Sequence, residues 1–226
     1  MENVNYKNQN GRSMIEMLGV LAIIGVLSVG GIAGYSKAMT KYRINKAIEQ
    51  ITLIAGNVRS FFAPQKNYVG VRCTCYDTPQ PCSSDENSSN KNGCPIIKKA
   101  KILPDEMITL DDNGKITDIS NAFGKKIYIV NSNKSKIGDN QVFRISYQIP
   151  KDEEICIELL NHNWTTAGVG YVGVGYGFFR TFPVPIDLAA ENCSYVISNS
   201  SNSVEKLEFS LSFNPDTSAT GVLWLN

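Results

Sequence analysis

Few side chains in this sequence could act together as a catalytic site. His162 is the only histidine, so a Ser-His-Asp triad would have to use it. Its neighbours indicate the end of a helix instead. Two acidic groups, Asp111–Asp112 and Asp152–Glu154, suit a turn and the first turn of a helix, where carboxylates favour the helix dipole. Because no nucleophile, base and orienting group can be assembled, we predict a protein that is not an enzyme and holds neither a cofactor nor a metal.

Three glycines match a dinucleotide-binding motif by their spacing. Gly168, Gly170 and Gly173 fit G-x-G-x-x-G, and Glu191 follows at about the right distance. The motif needs a strand before it and a helix after it, whereas residues 174–183 contain two more glycines and end in proline. We therefore interpret the segment as a glycine- and aromatic-rich surface loop or edge strand.

Cysteine usage favours an oxidising compartment, because six cysteines are many for a chain kept in a reducing one. Four of them lie in a stretch rich in Pro, Ser and Asn: Cys73, Cys75, Cys82 and Cys94. Two disulfides would replace the core that this stretch lacks. A zinc site is the alternative, but the spacing C-x-C-x₆-C-x₁₁-C lacks the paired C-x₂-C knuckles of structural zinc sites. Cys73 and Cys75 seldom bond each other at this spacing, so they would share Cys82 and Cys94 in an open order.

The other two cysteines lie in predicted helices. Residues 152–163 predict one helix, and residues 185–193 predict a turn with a short helix. The inward positions of the first helix are Ile155, Cys156, Leu159 and Leu160. A Cys156–Cys193 bond would close a loop of about 38 residues and contribute about 3 to 4 kcal/mol on the chain-entropy model.

The element that would position the N-terminal residues is a long apolar segment. Residues 17–33 contain no ionisable side chain. Together with Met14 and Ile15 they reach the roughly 20 residues that span about 30 Å of hydrocarbon. The segment is therefore a transmembrane helix candidate. Glu16 lies just inside it, where a carboxylate costs up to about 2.5 to 3.5 kcal/mol and usually has a partner.

The leader precedes the apolar run, which is the reverse of a secretory signal. Gly11 and the residues after it, Arg-Ser-Met-Ile-Glu-Met-Leu-Gly-Val-Leu-Ala-Ile-Ile-Gly-Val-Leu-Ser, resemble the class III signal of type IV prepilins and of type II secretion pseudopilins. In that family a prepilin peptidase cleaves after the glycine, the new N-terminus is methylated, and the acid guides subunit docking. The resemblance implies that Gly11 ends the leader, Arg12 begins the mature chain and Glu16 is the docking acid. The family usually begins its mature chain with Phe, Met or Leu, and Arg12 departs from this.

The C-terminal part is similar to the disulfide region of type IVb pilins. The matching features are a helical Cys-x-x-Leu at Cys156, an Ala-Ala-x-x-Cys at Cys193 and a final Leu-x-Phe-x-Leu-x-Phe strand. The resemblance implies a filament of identical or related pilins as the homo-oligomer. Its implied partners are the peptidase, a pilus assembly platform and the inner membrane. The chain would be a single-pass inner-membrane protein before assembly and part of an extracellular pilus afterwards.

A second helical pattern follows the apolar segment without a break. Residues 35–62 repeat apolar side chains at helical spacing, and Pro64 ends the pattern. The stripe consists of Ala38, Ile44, Ala47, Ile48, Ile51, Ile54, Ala55, Val58, Phe61 and Phe62. One helix of about 50 residues is therefore predicted, apolar all round in its first half and amphipathic in its second. The second half should pack under a head domain.

Three glycines interrupt the apolar run near its end. Gly30, Gly31 and Gly34 each cost about 1 kcal/mol relative to Ala in a helix. Gly30 and Gly34 also have the small-xxx-small spacing that lets helices approach closely, although ordinary membrane-helix usage explains them as well. Filaments of the family often lose helicity near this depth, so we predict a weak point here.

Basic residues and cysteines conflict over the membrane orientation. Lys37, Lys41, Arg43 and Lys46 follow the span, so the positive-inside count places the C-terminal side in the cytoplasm. The cysteines and the resemblance favour the opposite, an N-in and C-out arrangement. Overall, 22 basic and 21 acidic residues give a net charge of +1, which provides no attraction for nucleic acid.

We predict an α+β fold with four parts. Residues 1–11 form the leader; 12–63 form the long helix, with its membrane part at 12–35 and its amphipathic part at 36–63; 64–104 form the Cys-rich loop; 105–226 form the head. Strands are predicted at 107–110 and 115–119, joined by an Asn-Gly hairpin turn, and at 126–130, 141–149, 204–213 and 222–225. The predicted function is a structural subunit of a type IVb-like pilus. The alternatives are a minor pilin, a pseudopilin or a membrane-anchored extracytoplasmic binding module.

Overall fold

A computed structural model describes residues 14–68, 71–73, 100–114, 116–132, 142–174, 177–179, 182–199 and 204–212. Predictions for Gly11, Arg12, Cys75, Cys82, Cys94 and residues 222–225 lie outside these ranges. The chain divides into two compact units, residues 1–42 and residues 43–226.

The long N-terminal helix, α1, runs from Met14 to Phe62. Its length follows from the absence of any proline before Pro64. A 3₁₀ turn at Ala63–Gln65 holds that proline, and Lys66 then adopts a left-handed conformation with φ 52°. The second helical pattern predicted at residues 35–62 is therefore part of the same helix as the apolar segment, and this helix ends at Phe62 as predicted. We call residues 14–42 the apolar half of α1 and residues 43–62 the packed half.

The second unit contains a six-stranded antiparallel sheet with the strand order β1-β4-β5-β8-β6-β7, and a separate hairpin of β2 and β3. The strands are β1 Arg72–Cys73, β2 Ile108–Leu110, β3 Ile116–Ile119, β4 Ile127–Ser132, β5 Val142–Pro150, β6 Tyr171–Val174, β7 Gly177–Phe179 and β8 Val204–Ser212. Helix α2 spans Glu153–Asn161 and helix α3 spans Ile186–Asn199. The predicted α+β class is confirmed.

The β2–β3 hairpin forms where the sequence predicted it. Ile108 pairs with Ile119, and Gly114 takes a positive φ of 70° at the turn. The Asp111 side chain accepts a hydrogen bond from the Asn113 amide at 3.0 Å, and its carbonyl accepts one from Gly114 at 2.9 Å. Asp111 is therefore a turn residue, as the sequence indicated.

The core lies on one face of the large sheet. On β5 the alternate residues Phe143, Ile145, Tyr147 and Ile149 are fully buried. Strands β4 and β8 pair with β5 on its two sides, and β6 follows beyond β8, where Val172 and Val174 are also fully buried. The buried side of the packed half joins the same core through Ile44, Ala47, Ile51, Ile54, Ala55, Val58 and Phe62. Ala38 and Phe61, which the predicted stripe included, are exposed.

Two elements differ from the sequence-based expectation. Helix α3 continues to Asn199 rather than ending near Cys193, because Ala189, Cys193 and Val196 extend one buried stripe with no breaker after Cys193. The glycine- and aromatic-rich segment forms two strands. β7 is the last strand in the order of the sheet, which agrees with the predicted edge strand, whereas β6 lies between β8 and β7 because it also pairs with β8.

Candidate functional site

The apolar half of α1 is a large hydrophobic surface. None of its residues is buried, and the large apolar side chains from Met14 to Ile32 are each more than half exposed. It belongs to the one helix, among the described residues, that is long and apolar enough to cross a membrane. Exposing a Leu or Ile side chain to water instead of burying it costs about 1.5 to 3 kcal/mol. This surface therefore needs lipid or other protein chains around it.

The predicted assembly acid lies at the start of this surface. Glu16 is in the first turn of α1 and is exposed. A carboxylate there interacts favourably with the positive end of the helix dipole. Helix α1 continues through Gly30, Gly31 and Gly34, and open space surrounds each of them. The predicted weak point concerns a filament and stays a prediction.

A buried amide attaches the packed half of α1 to the sheet. Gln50 is 3% exposed, and its Oε1 accepts hydrogen bonds from the Tyr147 hydroxyl at 2.7 Å and from the Ala122 amide at 3.0 Å. The Ala122 amide also lies 3.1 Å from the Tyr147 hydroxyl. Burial raises the pKa of Tyr147, so its hydroxyl keeps its proton and remains a donor. Gln50 therefore fixes the helix against β5 at one level.

An ion pair continues this attachment to the surface. Lys46 Nζ lies 2.7 Å from a Glu106 carboxylate oxygen and 3.0 Å from Glu49. The hydrogen bond from Lys46 lowers the pKa of Glu106, and the bonds to Glu106 and then Glu49 raise the pKa of Lys46. Gln50 Nε2 donates to the same Glu106 oxygen at 3.4 Å. Because these charged groups are partly exposed, they contribute less than the buried amide.

A second attachment lies near the end of α1. Arg59 donates to the carbonyl oxygens of Gly168 at 2.7 Å and Ala167 at 3.4 Å. Gly168 has φ +68°, and a Cβ there would lie 1.6 Å from the Arg59 Nη1 atom. Only glycine suits this position, because a side chain would be strained and would displace the guanidinium. Asn57 adds a hydrogen bond to the Ile102 carbonyl at 3.0 Å.

The predicted Cys156–Cys193 disulfide is present and joins α2 to α3, with both cysteines buried. Asp152 caps α2 by accepting a hydrogen bond from the Ile155 amide at 3.2 Å. The predicted inward residues Ile155, Cys156, Leu159 and Leu160 are all buried.

The end of α2 contains the only histidine. His162 lies edge-on to Trp164, with 4.6 Å between the ring centroids. The Trp164 indole is fully buried and donates to the Leu159 carbonyl at 2.7 Å. Burial lowers the pKa of His162, so the imidazole is neutral at neutral pH. The pair completes a helix end, as the sequence predicted.

The structure brings together few of the predicted site residues. Cys156 and Cys193 meet, whereas Glu16 and the three helix glycines lie apart on one exposed helix, and Cys73 ends β1. Among the described residues, no three His, Cys, Asp or Glu side chains are placed to hold a metal ion. Sequence reasoning missed Gln50 and Arg59. The usable signal was a polar residue at a buried position of an apolar stripe.

Comparisons with known proteins give one structural similarity. No protein-family model matches the sequence, and no curated protein matches it. The chain is similar to a crystal structure of type IVb pilin from Salmonella typhi, with 14% sequence identity and a TM-score of 0.47. The similarity covers 74% of this chain and 99% of that chain. At this level of similarity, the residues and contacts of the chain itself must decide what it does.

Proposed function

We propose that this chain is a structural subunit of a type IVb-like pilus. The observation that carries the proposal is a helix with two environments: a membrane-length apolar half that has no buried residue and has Glu16 in its first turn, and a packed half held in a head domain. The prepilin-like residues from Gly11 to Glu16 give this helix a processing site. A prepilin peptidase would remove residues 1–11, and the inner membrane would hold the mature subunit until a pilus assembly platform extracts it.

Assembly would be driven by two noncovalent exchanges. In the membrane the Glu16 carboxylate is poorly solvated, so it gains from a cationic partner. The new α-amino group of Arg12 on a neighbouring subunit would supply that partner as the filament grows. Pairing two charges in a medium of low dielectric constant is favourable only when both already lack water, which describes the base of the filament. The pairing would also set the axial position of each new subunit.

The apolar half would exchange lipid for neighbouring helices. Because lipid tails are as apolar as Leu and Ile, this exchange gains packing rather than hydrophobic burial. Close approach would then depend on small residues, and Gly30 and Gly34 have the required spacing. The same glycines lower the cost of unwinding α1, so a filament could lose helicity there without breaking a packed region.

The packed half would keep the head on its helix during extraction. Gln50 and Arg59 fix it by buried or half-buried hydrogen bonds to well-separated parts of the head. A force along α1 during extraction would therefore act on the hydrogen bonds of both Gln50 and Arg59. The heads would face outward around a bundle of apolar halves.

The first test is the mature N-terminus. The full chain is expressed with and without its prepilin peptidase, and intact mass is measured. We expect loss of residues 1–11 only when the peptidase is present, and no loss in Gly11→Leu. A chain that still begins at Met1 beside an active peptidase would overturn the pilin proposal and favour a membrane-anchored binding module.

The second test concerns the assembly acid. Glu16→Val should leave cleavage at Gly11 intact and reduce incorporation into sheared filaments at least tenfold, because the desolvated charge pair is lost. Asp112→Asn is the control, since it removes an exposed carboxylate from the turn between β2 and β3 and should leave filament yield unchanged. Normal filament yield from cleaved Glu16→Val subunits would show that the charge pair is unnecessary.

A further inference from the structure

We infer that Tyr35, Lys37, Lys41 and Tyr42 form an interfacial belt that binds the headgroups of anionic phospholipids. The inference rests on the proposed membrane residence of the apolar half, and it adds the class of lipid that this half selects. All four side chains are exposed; Tyr35 is 68% and Tyr42 61% exposed. The belt begins where the apolar segment ends.

The position of the belt along α1 matches a lipid interface. Residues 14–33 cover about 30 Å at about 1.5 Å per residue, which is the thickness of the hydrocarbon core. Tyr35 comes directly after that length, and Tyr42 lies about 10 Å further along the axis. The headgroup layer of one leaflet is roughly 5 to 8 Å thick. The length of the belt along the helix axis, about 10 Å, therefore covers the headgroup layer and extends slightly beyond it.

The belt also surrounds the helix, which a one-sided protein contact would not require. At about 100° per residue, Tyr35 and Tyr42 lie on one side, and Lys37 and Lys41 lie roughly opposite them. Ser36 and Thr40 fill part of the remaining arc, and the Thr40 hydroxyl bonds the Ser36 carbonyl at 3.2 Å. Tyrosine and lysine are the residues that favour the membrane interface, with rings near the acyl boundary and ammonium groups among the phosphates. A bilayer meets a spanning helix on every side.

The charge of the belt selects anionic lipid. No Asp or Glu occurs between Glu16 and Glu49, so the belt is purely cationic. Lys46, the next lysine, lies in the packed half of α1, where it pairs with Glu106 and Glu49. Each lysine near an anionic surface strengthens binding by up to about fivefold. The positive-inside rule does not explain lysines on the extracytoplasmic side of the span, whereas binding to anionic headgroups does.

The test measures lipid selectivity of the full chain. The protein is reconstituted in phosphatidylcholine bilayers, and spin-labelled phosphatidylglycerol or phosphatidylcholine reports the lipid held at its surface. We expect phosphatidylglycerol to be held several times more strongly than phosphatidylcholine. The double variant Lys37→Gln/Lys41→Gln should lower that ratio clearly, and exposed Arg43, which follows the belt, should keep the remainder above one. About 1 M KCl should lower it in the unmodified chain, because salt screens exposed charges.

Two matched variants separate charge at the belt from charge elsewhere. Lys37→Arg/Lys41→Arg keeps both charges and should keep the selectivity. Lys66→Gln/Lys101→Gln removes two exposed lysines from the head and should also keep it.

Equal retention of the two lipids by the unmodified chain would overturn the inference, as would a ratio that Lys37→Gln/Lys41→Gln leaves unchanged. Neither cleavage nor polymerisation enters this measurement. Loss of selectivity with normal processing at Gly11 would therefore reject the belt alone. An uncleaved chain that still selects phosphatidylglycerol would reject the pilin proposal alone.

Discussion

The two halves of α1 belong to one helix but are specified differently. In the apolar half, from Met14 to Tyr42, no residue is buried, and the glycines have open space around them. In the packed half, Ile51 and Ala55 are fully buried, and Gln50 and Arg59 bond partners far along the chain. The apolar half supplies a surface whose partners must come from outside the subunit. The packed half has specific partners within the subunit for its buried and hydrogen-bonding side chains.

This difference predicts which substitutions change the stability of the folded head. Replacing a side chain that has no neighbours in the subunit leaves the stability of the subunit unchanged, even where assembly depends on that side chain. Replacing a buried side chain lowers the stability. Stability and assembly should therefore separate along one helix, and paired substitutions in the two halves can test the separation.

The largest expected difference is between two isoleucines. Ile51→Ala removes a fully buried side chain and should lower the free energy of unfolding by about 3 to 4 kcal/mol. Ile24→Ala, at a position 52% exposed, should change it by less than about 0.5 kcal/mol. Urea unfolding of the full chain in detergent, followed by near-UV circular dichroism, measures both. Similar losses in the two variants would contradict the division of α1.

Two glycines give the next comparison. Gly168→Ala should cost about 2 to 3 kcal/mol, because Ala is strained at positive φ and its Cβ displaces the Arg59 guanidinium. Gly34→Ala has open space and should leave the unfolding of the head unchanged within about 0.5 kcal/mol. The same urea titrations compare them.

The Arg59→Met background separates the two causes at Gly168. With the guanidinium removed, Gly168→Ala should cost only the backbone strain of about 1 to 2 kcal/mol. An unchanged cost in that background would mean that Arg59 yields freely and that strain accounts for the whole effect.

The buried amide should matter less than either of these but still measurably. Gln50→Leu leaves the Tyr147 hydroxyl without its acceptor in the core, which costs about 2 kcal/mol. Asn45→Leu makes the same kind of change at an exposed position of the packed half and should stay within about 0.5 kcal/mol. Thermal unfolding should place Gln50→Leu clearly below Asn45→Leu. Equal melting temperatures would show that water can replace Gln50.

Local patterns predicted the parts of this structure that local chemistry decides. A run without charges and then a helical stripe predicted one long helix, and Asn113 with Gly114 predicted the hairpin. Helical spacing predicted a helix around Cys156 and a short helix before Cys193, and these two cysteines, which lie outside the Cys-rich loop, were predicted to form the disulfide that is present. In each case the residues that decide the structure lie within a few turns or one loop of each other.

Contacts between distant parts of the chain escaped prediction. Gln50 bonds Tyr147 across 97 residues, and Arg59 bonds Gly168 across 109. No periodicity within α1 indicates which carbonyl or hydroxyl will face a buried polar side chain. The segment that was predicted as a loop or edge strand supplies the edge strand β7, but its first strand, β6, lies inside the sheet because it pairs with β8, which begins at Val204. Gly168 was noticed for its spacing to other glycines, whereas its real constraint is the Arg59 side chain.

The smallest expected effect concerns the ion pair at the edge of the packed half. Lys46 lowers the pKa of Glu106 in the folded state, so the pair contributes stability above the ordinary glutamate pKa of 4.5. That contribution is lost as the pH falls through the lowered pKa. The difference in free energy of unfolding between the unmodified chain and Glu106→Gln should therefore be larger at pH 7 than at about pH 3. Because both side chains are partly exposed, it should stay below the Gln50→Leu effect. A difference that does not change with pH would remove Lys46 from the attachment and leave the buried amide, Arg59 and core packing to hold α1.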